Sequence, residues 1–309
     1  MDIDVFSPDE LETVFRVLRT ALAPAGPLHE PGRKFLETYA RITRYPLGDD
    51  PFPIRPGDVR VDGAHRRKRL VQLASIAALL NRPLDPASVR FVRELSTIAY
   101  DPVIPVLEAM AAGRKLEARL RTARRFARVL LKDAYRAEGL LGIARFVAAV
   151  IFNLRVNEDK LWDYKRLGLL PPGTLGRSYW AHMTERGFGF PGERRGIPHA
   201  FAYHDVSHVL NGYDTDPAGE IQQGSFQGGN RRHDGFFFVQ FVLLQFHHGI
   251  QMTPIAKPET GYFDPQRVLW AIHRGASCSV DVTDLWNHWP LMPVPIDEVR
   301  HRIALIPGI

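Results

Sequence analysis

The sequence predicts an all-α protein, and three observations carry that expectation. Apolar residues recur at three- and four-residue spacing, as in Leu11, Val14, Phe15 and Leu18. Helix starts are marked repeatedly by a capping side chain followed by proline: Ser7-Pro8, Asp85-Pro86, Asp101-Pro102 and Asp216-Pro217. The N-terminal half contains no stretch with the apolar-polar alternation of a half-buried strand.

In chain order, Ser7-Pro8-Asp9-Glu10 opens the first helix and Ala23-Pro24-Ala25-Gly26-Pro27 ends it. A second helix runs around Arg33 to Thr43, and the proline-, glycine- and aspartate-rich segment from Tyr45 to Gly57 reads as loop. Arg69 to Leu80 forms an amphipathic helix. Asp85-Pro86 begins the next, with Val89, Val92, Leu95 and Ile98 on its apolar face, and Asp101-Pro102 begins another.

Arg114 to Arg136 reads as one basic helix with Arg121, Arg125, Arg128 and Lys132 on one side. Leu116, Leu120, Ala123, Ala127 and Leu130 share the other, so the expectation is that the leucine side packs. The charged side is either solvated or laid on an anionic membrane surface. An apolar helix follows from Gly139 to about Val156, and another runs through Met183. Gly187 to Pro198 is loop. Phe236 to Leu244 is apolar nearly all round and reads as a buried core helix, or as part of the lining of a long apolar slot. His247-His248 beyond it is either a helix-end pair or a second polar cluster.

Composition narrows the class. At 309 residues, 45% hydrophobic and 24% charged, the chain has material for one large domain or two modest ones. The single cysteine, Cys278, excludes an internal disulfide framework and any multi-cysteine metal site, and reads as a small buried residue. A reducing, cytoplasmic location follows, and the N-terminus lacks a charged-then-apolar leader pattern. No charge-free apolar run reaches membrane-spanning length, since Leu140 to Leu154 is short and interrupted by Arg145. The net charge of +6 permits an anionic partner, but no nucleic-acid module accompanies it, so nucleic acid is not expected.

The chemistry concentrates in His204-Asp205-Val206-Ser207-His208, followed after eleven intervening residues by Glu220. Residues four apart on a helix lie about 40° apart around the axis, so His204 and His208 share a face one turn apart. Asn211-Gly212 supplies a helix stop, and Asp216-Pro217 starts the next helix with Glu220 near its first turn. His204, Asp205, His208 and Glu220 are therefore candidate ligands for one divalent ion: zinc first, with iron(II), cobalt or manganese also suited. If all four bind, a tetrahedral site is closed. If Asp205 stays outside the shell, a position remains open. Asp205 and Glu220 are the carboxylates placed to move protons. A zinc-peptidase motif would carry glutamate where Asp205 stands. A His-Asp phosphohydrolase would recruit further histidines such as His182 or His199.

The run His-Asp-x-x-His, eleven residues and Glu220-Ile221 resembles the signature of the coenzyme Q biosynthesis protein 4 family. Gly173-Thr174-Leu175-Gly176 with Tyr179, Trp270-Ala271-Ile272 with Gly275, Trp289-Pro290-Leu291 and Val299-Arg300 are similar to other segments of that family, in the same order. Around the ligand set the sequence differs: Phe201-Ala202 stand where the family has Arg-Glu. Gly224, Ser225, Phe226 and Gln227 stand where it has lysine, tryptophan, phenylalanine and glutamate.

The resemblance implies an all-α domain over residues 137–309, a metal at His204, Asp205, His208 and Glu220, and peripheral association with the inner membrane face. It implies a part in ubiquinone synthesis, tied to oxidative decarboxylation of a polyprenylated hydroxybenzoate ring. The partners implied are a prenylated aromatic lipid, an anionic membrane surface, other quinone-biosynthesis proteins and a second copy of the chain. A scaffold or prenyl-lipid-binding protein with a structural metal is the alternative; a metal-dependent phosphohydrolase is a lesser one. Within residues 1–136, Arg69 to Leu95 is similar to the helical TerB-like domain, with Asn81-Arg82-Pro83 at the turn where that family is acidic.

Overall fold

The computed structural model describes residues 1–150, 152, 154, 158–194, 196–253 and 256–308. Among them it shows thirteen α-helices and no strand, as expected. They are α1 Pro8–Leu22, α2 Glu30–Thr43, α3 Ala64–Leu79, α4 Pro86–Leu95, α5 Ile104–Ala111, α6 Lys115–Val150 and α7 Glu158–Arg166. Then follow α8 Leu175–Glu185, α9 Tyr203–Asn211, α10 Pro217–Asn230, α11 Phe236–Phe246, α12 Pro265–Ser277 and α13 Ile296–Arg302. No helix is long and apolar enough to cross a membrane among the described residues.

The proline-led starts form for the stated reasons. The Glu10 carboxylate accepts the Ser7 N–H at 2.9 Å, and the Asp85 carboxylate accepts the Ala87 N–H at 2.8 Å. Asp101 differs from the expectation, because α5 begins only at Ile104. Its fully buried carboxylate instead accepts from the Val103 N–H at 3.0 Å and the Gln72 amide at 2.7 Å.

The chain forms two compact units, each drawn from separate stretches: 1–125 with 216–276, and 126–215 with 277–308. The divide expected after Arg136 is not where the first core ends. Ile221, Phe236, Val239, Leu243, Val268 and Ile272, from α10 to α12, bury their side chains in one cluster with Phe15, Leu18, Tyr39 and Leu73 of the N-terminal helices. In the second unit, Tyr164, Leu175, Tyr179, Val206, Leu210, Met292 and Val299 form the main core. Leu130, Ala134, Phe146, Phe201 and Tyr203 form a smaller one.

Helix α6 contains both the expected basic helix and the start of the apolar one, separated by a break at Glu138 (φ −143°) and Gly139 (φ 62°). Gly139 is needed there, because a side chain is disfavoured at that φ. The expected end near Val156 lies outside the described residues. The face of α6 is a correction. In its basic part, up to Arg136, Ala118, Thr122, Leu130, Asp133 and Ala134 are the buried residues, whereas Leu116 and Leu120 are 65% and 48% exposed. Arg125 tips the register, because its guanidinium lies 3.6 Å from Asp101 and 3.5 Å from Asp234. Satisfying those carboxylates draws one "charged" position inward and turns Leu116 and Leu120 out, while Leu130 stays buried.

Helix α11 is a core helix, with every residue from Phe236 to Phe246 buried except the half-buried Phe241. It lies close against α10 because glycines remove the obstruction: a Cβ on Gly224 would stand 2.4 Å from Val242, and one on Gly228 2.4 Å from Val239. His247 and His248 form a helix-end pair that also closes another helix. They bond the Leu80 and Leu79 carbonyls at 3.2 and 2.8 Å, and His247 Nδ1 accepts the Phe263 N–H at 3.2 Å. Cys278 is buried.

Candidate metal centre

Helix α9 presents His204 and His208 on one face, with ring centroids 4.9 Å apart and planes at 79°. Val206 and Leu210 on its other side are buried in the second unit's core, which fixes the helix rotation. Its C-terminus is held from two directions. Gly212 takes the left-handed conformation (φ 69°, ψ 25°) and donates its N–H to the His208 carbonyl at 2.9 Å. From α13, Arg300 Nε donates to the Leu210 carbonyl at 2.9 Å. The next turn is tied to α8 by Arg186, which reaches Thr215 at 3.3 Å and Asp214 at 3.2 Å.

Past that turn, Asp216 caps α10 by accepting the Gly219 N–H at 2.6 Å, and Pro217 occupies the first helical position. Glu220 therefore sits in the first turn, as the spacing predicts. His204, His208 and Glu220 each offer one ligand atom, and these atoms lie within 4.8 Å of one another, so the cluster can hold a metal ion. Asp205 is not a member of that group of ligand atoms.

The tautomer of His208 suits the role. Its Nδ1 lies 3.2 Å from the Tyr213 carbonyl, which can only accept, so Nδ1 carries the hydrogen and Nε2 carries the lone pair. Backbone support of this kind orients metal-binding histidines. His208 is buried, while His204 and Glu220 are half-buried.

Asp205 does other work. Its charge adds to burial in holding the Tyr164 and Tyr179 phenols protonated far above the usual tyrosine range. Tyr164 in turn bonds His199 Nδ1 at 2.7 Å, and the buried Tyr179 hydroxyl makes no hydrogen bond within the protein. Of the two further histidines, His182 lies beside the site, its ring stacked 5.9 Å from His208. Burial, then Arg186 and the two site histidines, push its pKa down to about 4, so it stays neutral. Neither His182 nor His199 joins the ligand group.

Two of the segments on which the sequence resemblance rests have physical tasks here. Gly176 donates its N–H to the Met292 carbonyl at 2.8 Å, an approach where a Cβ would stand 3.0 Å from that oxygen. Arg300 anchors the ligand-bearing helix. Nothing along the chain marks the Tyr213 carbonyl, because its role depends on a glycine-permitted turn rather than on its side chain. The sequence matches no family model, and no curated protein matches it.

Proposed function

We propose that the protein is a metal-dependent enzyme of quinone-biosynthesis type, acting at a membrane surface in the oxidative decarboxylation of a prenylated hydroxybenzoate-like ring. The observation that carries the reading is the ligand group itself: two imidazoles and one carboxylate, with Asp205 outside it. Three protein ligands with a vacant coordination position are the arrangement of catalytic rather than structural sites. A divalent ion there, zinc before iron(II), cobalt or manganese, supplies Lewis acidity toward a carboxylate or phenolate oxygen. Two neutral imidazoles and one carboxylate leave one positive charge uncompensated, which favours an anionic oxygen as the remaining partner. His204, His208 and Glu220 hold and orient. Asp205, beside two buried phenols, and Glu220 are the groups placed to accept and return a proton. The ordered resemblance over five segments supplies the pathway.

Membrane association draws support from α6. The exposed Leu116 and Leu120 stand one turn apart with Lys115, Arg119 and Arg124 exposed around them, a pattern suited to anionic headgroups. Sedimentation with anionic but not neutral vesicles is expected, weakened by Leu116→Ser with Leu120→Ser. Equal sedimentation with both vesicle types removes this part of the reading.

The deciding experiment pairs metal analysis of the wild type and Glu220→Ala with lipid profiling of cells lacking the gene. A carboxylated prenyl-ring precursor should accumulate, and Glu220→Ala should fail to restore the quinone. Unchanged quinone levels would sink the assignment. A scaffold with a structural metal gives a different result: Glu220→Ala would unfold the protein instead of leaving it folded and inactive.

A further inference from the structure

The second unit contains a half-open groove of about 330 Å³, separate from the ligand group described above. It is bordered by Arg136 and Glu138 at the α6 break, by His199 and Tyr203, and by the loop segment from Leu285 to Trp289. Its lining is a contiguous set of rings. His288 lies 5.5 Å from Trp289 and 6.0 Å from Trp286, and His199 lies nearly parallel to Trp289 at 6.2 Å. Tyr164 backs this wall, 4.8 Å from Trp289, and its hydroxyl holds His199 Nδ1.

His288 sets the chemistry. It is only 5% exposed, lines the groove, and neither ring nitrogen makes a hydrogen bond of normal geometry within the protein, the Trp286 backbone offering only a poorly formed contact. A buried donor and a buried acceptor without partners are each costly, and such pairs are normally satisfied. Burial first, and then His199, push its pKa down to about 4, while the contact with the Trp286 backbone acts in the opposite direction. The ring is therefore neutral, with one N–H donor and one lone pair.

The charges at the rim do not select an ion. Arg136 is engaged by Asp284 at 2.5 Å, and Glu138 by Arg145 at 2.7 Å. A cation seeking the indole faces would meet Arg136, and an anion would meet Glu138. What remains is stacking surface and one neutral donor–acceptor group.

We propose that this groove binds an uncharged planar aromatic ring bearing a hydrogen-bond donor and an acceptor, stacked among Trp286, Trp289 and His199 and bonded to the His288 ring. The volume suits one or two fused rings, at the small end of ligand pockets. The inference does not rest on the metal reading.

Indazole tests it, being two fused rings with an N–H beside an acceptor nitrogen. Calorimetric titration of the full chain should show saturable binding, weakened tenfold or more by His288→Phe, which keeps the ring and removes both nitrogens. Trp286→Ala should weaken it similarly, and 1-methylindazole, with its donor blocked, should bind the wild type more weakly. If either variant fails to fold, spectra of wild type labelled with 15N-histidine decide instead: indazole should shift one pair of ring nitrogens that titrates far below pH 6.

Several results overturn the proposal. One is no saturation below about 10 mM. Another is equal binding to a folded His288→Phe, or no shift in the histidine spectra. Tighter binding of phenyltrimethylammonium or benzoate would mean that an ion is recognised. Loss of indazole binding in Glu220→Ala would place the probe on the metal ligands instead.

Discussion

At His208 one backbone hydrogen bond decides which nitrogen can bind a metal, and the glycine immediately before the residue that supplies that carbonyl makes the bond reachable. The Nδ1–H to Tyr213 contact depends on Gly212 at φ 69°, where any other residue would be strained. Glu220 completes the ligand group and Asp205 does not. Glu220→Gln should thus weaken zinc or cobalt(II) binding by at least about tenfold, while Asp205→Asn leaves the affinity within about threefold. Equal losses in a competition titration would mean that all four residues ligate. A second residue-scale prediction concerns pH. His247 and His248 are pushed down to about 4, chiefly by burial, while an unfolded histidine titrates near 6.5. The stability tied to their neutral rings is fully present above about pH 6.5. It drains away toward pH 4, because there the unfolded chain takes up protons that the folded one refuses. Urea midpoints should fall across that window, and less steeply in a His247→Gln, His248→Gln double variant. An unchanged slope would remove these two residues as the cause.

Among the elements, α10 shows what occupies the positions that follow the ligand group. Gln223 through Asn230 are all buried, and the glycines among them let neighbouring backbones approach. A Cβ on Gly229 would stand 2.0 Å from the Ile272 carbonyl oxygen, and one on Gly275 2.1 Å from that of Phe226. A lysine at Gly224 is excluded by Val242, so that position is occupied by helix packing rather than by a group directed at a substrate. Gly229→Ala should cost about 1–3 kcal/mol, toward the upper figure because the obstacle is backbone. Gly57→Ala, where nothing lies within 4 Å, is the matched control and should be near neutral. Similar denaturation midpoints for the two variants would contradict the packing account. Helix α6 shows the limit of reading one helix alone. Its periodicity is compatible with burying either the leucine side or the Ala118–Thr122 side, and ion pairs from Asp101 and Asp234 choose between them.

Across the whole molecule, each unit closes a hydrophobic core of its own, and neither core is built from the metal-ligand residues. Chelation should therefore lower the thermal midpoint by several degrees without loss of helical circular dichroism at 25 °C. A ligand that binds only the folded state at 100 times its dissociation constant contributes about 2.7 kcal/mol. Unfolding on chelation would instead make the metal structural.

The sequence by itself determined what depends on neighbours three or four residues away. The helical class, the capped starts at Ser7, Asp85 and Asp216, the shared face of His204 and His208, and the placement of Glu220 in a first turn are of this kind. Only the tertiary structure decided which polar groups end up buried together. Arg125 with two distant carboxylates, His182 beside His208, and His288 among tryptophans are of that kind. Backbone geometry is local and can be read along the chain. The cost of burying a charge or an imidazole is set by whichever distant segment arrives to satisfy it, and no spacing in the sequence records that arrival.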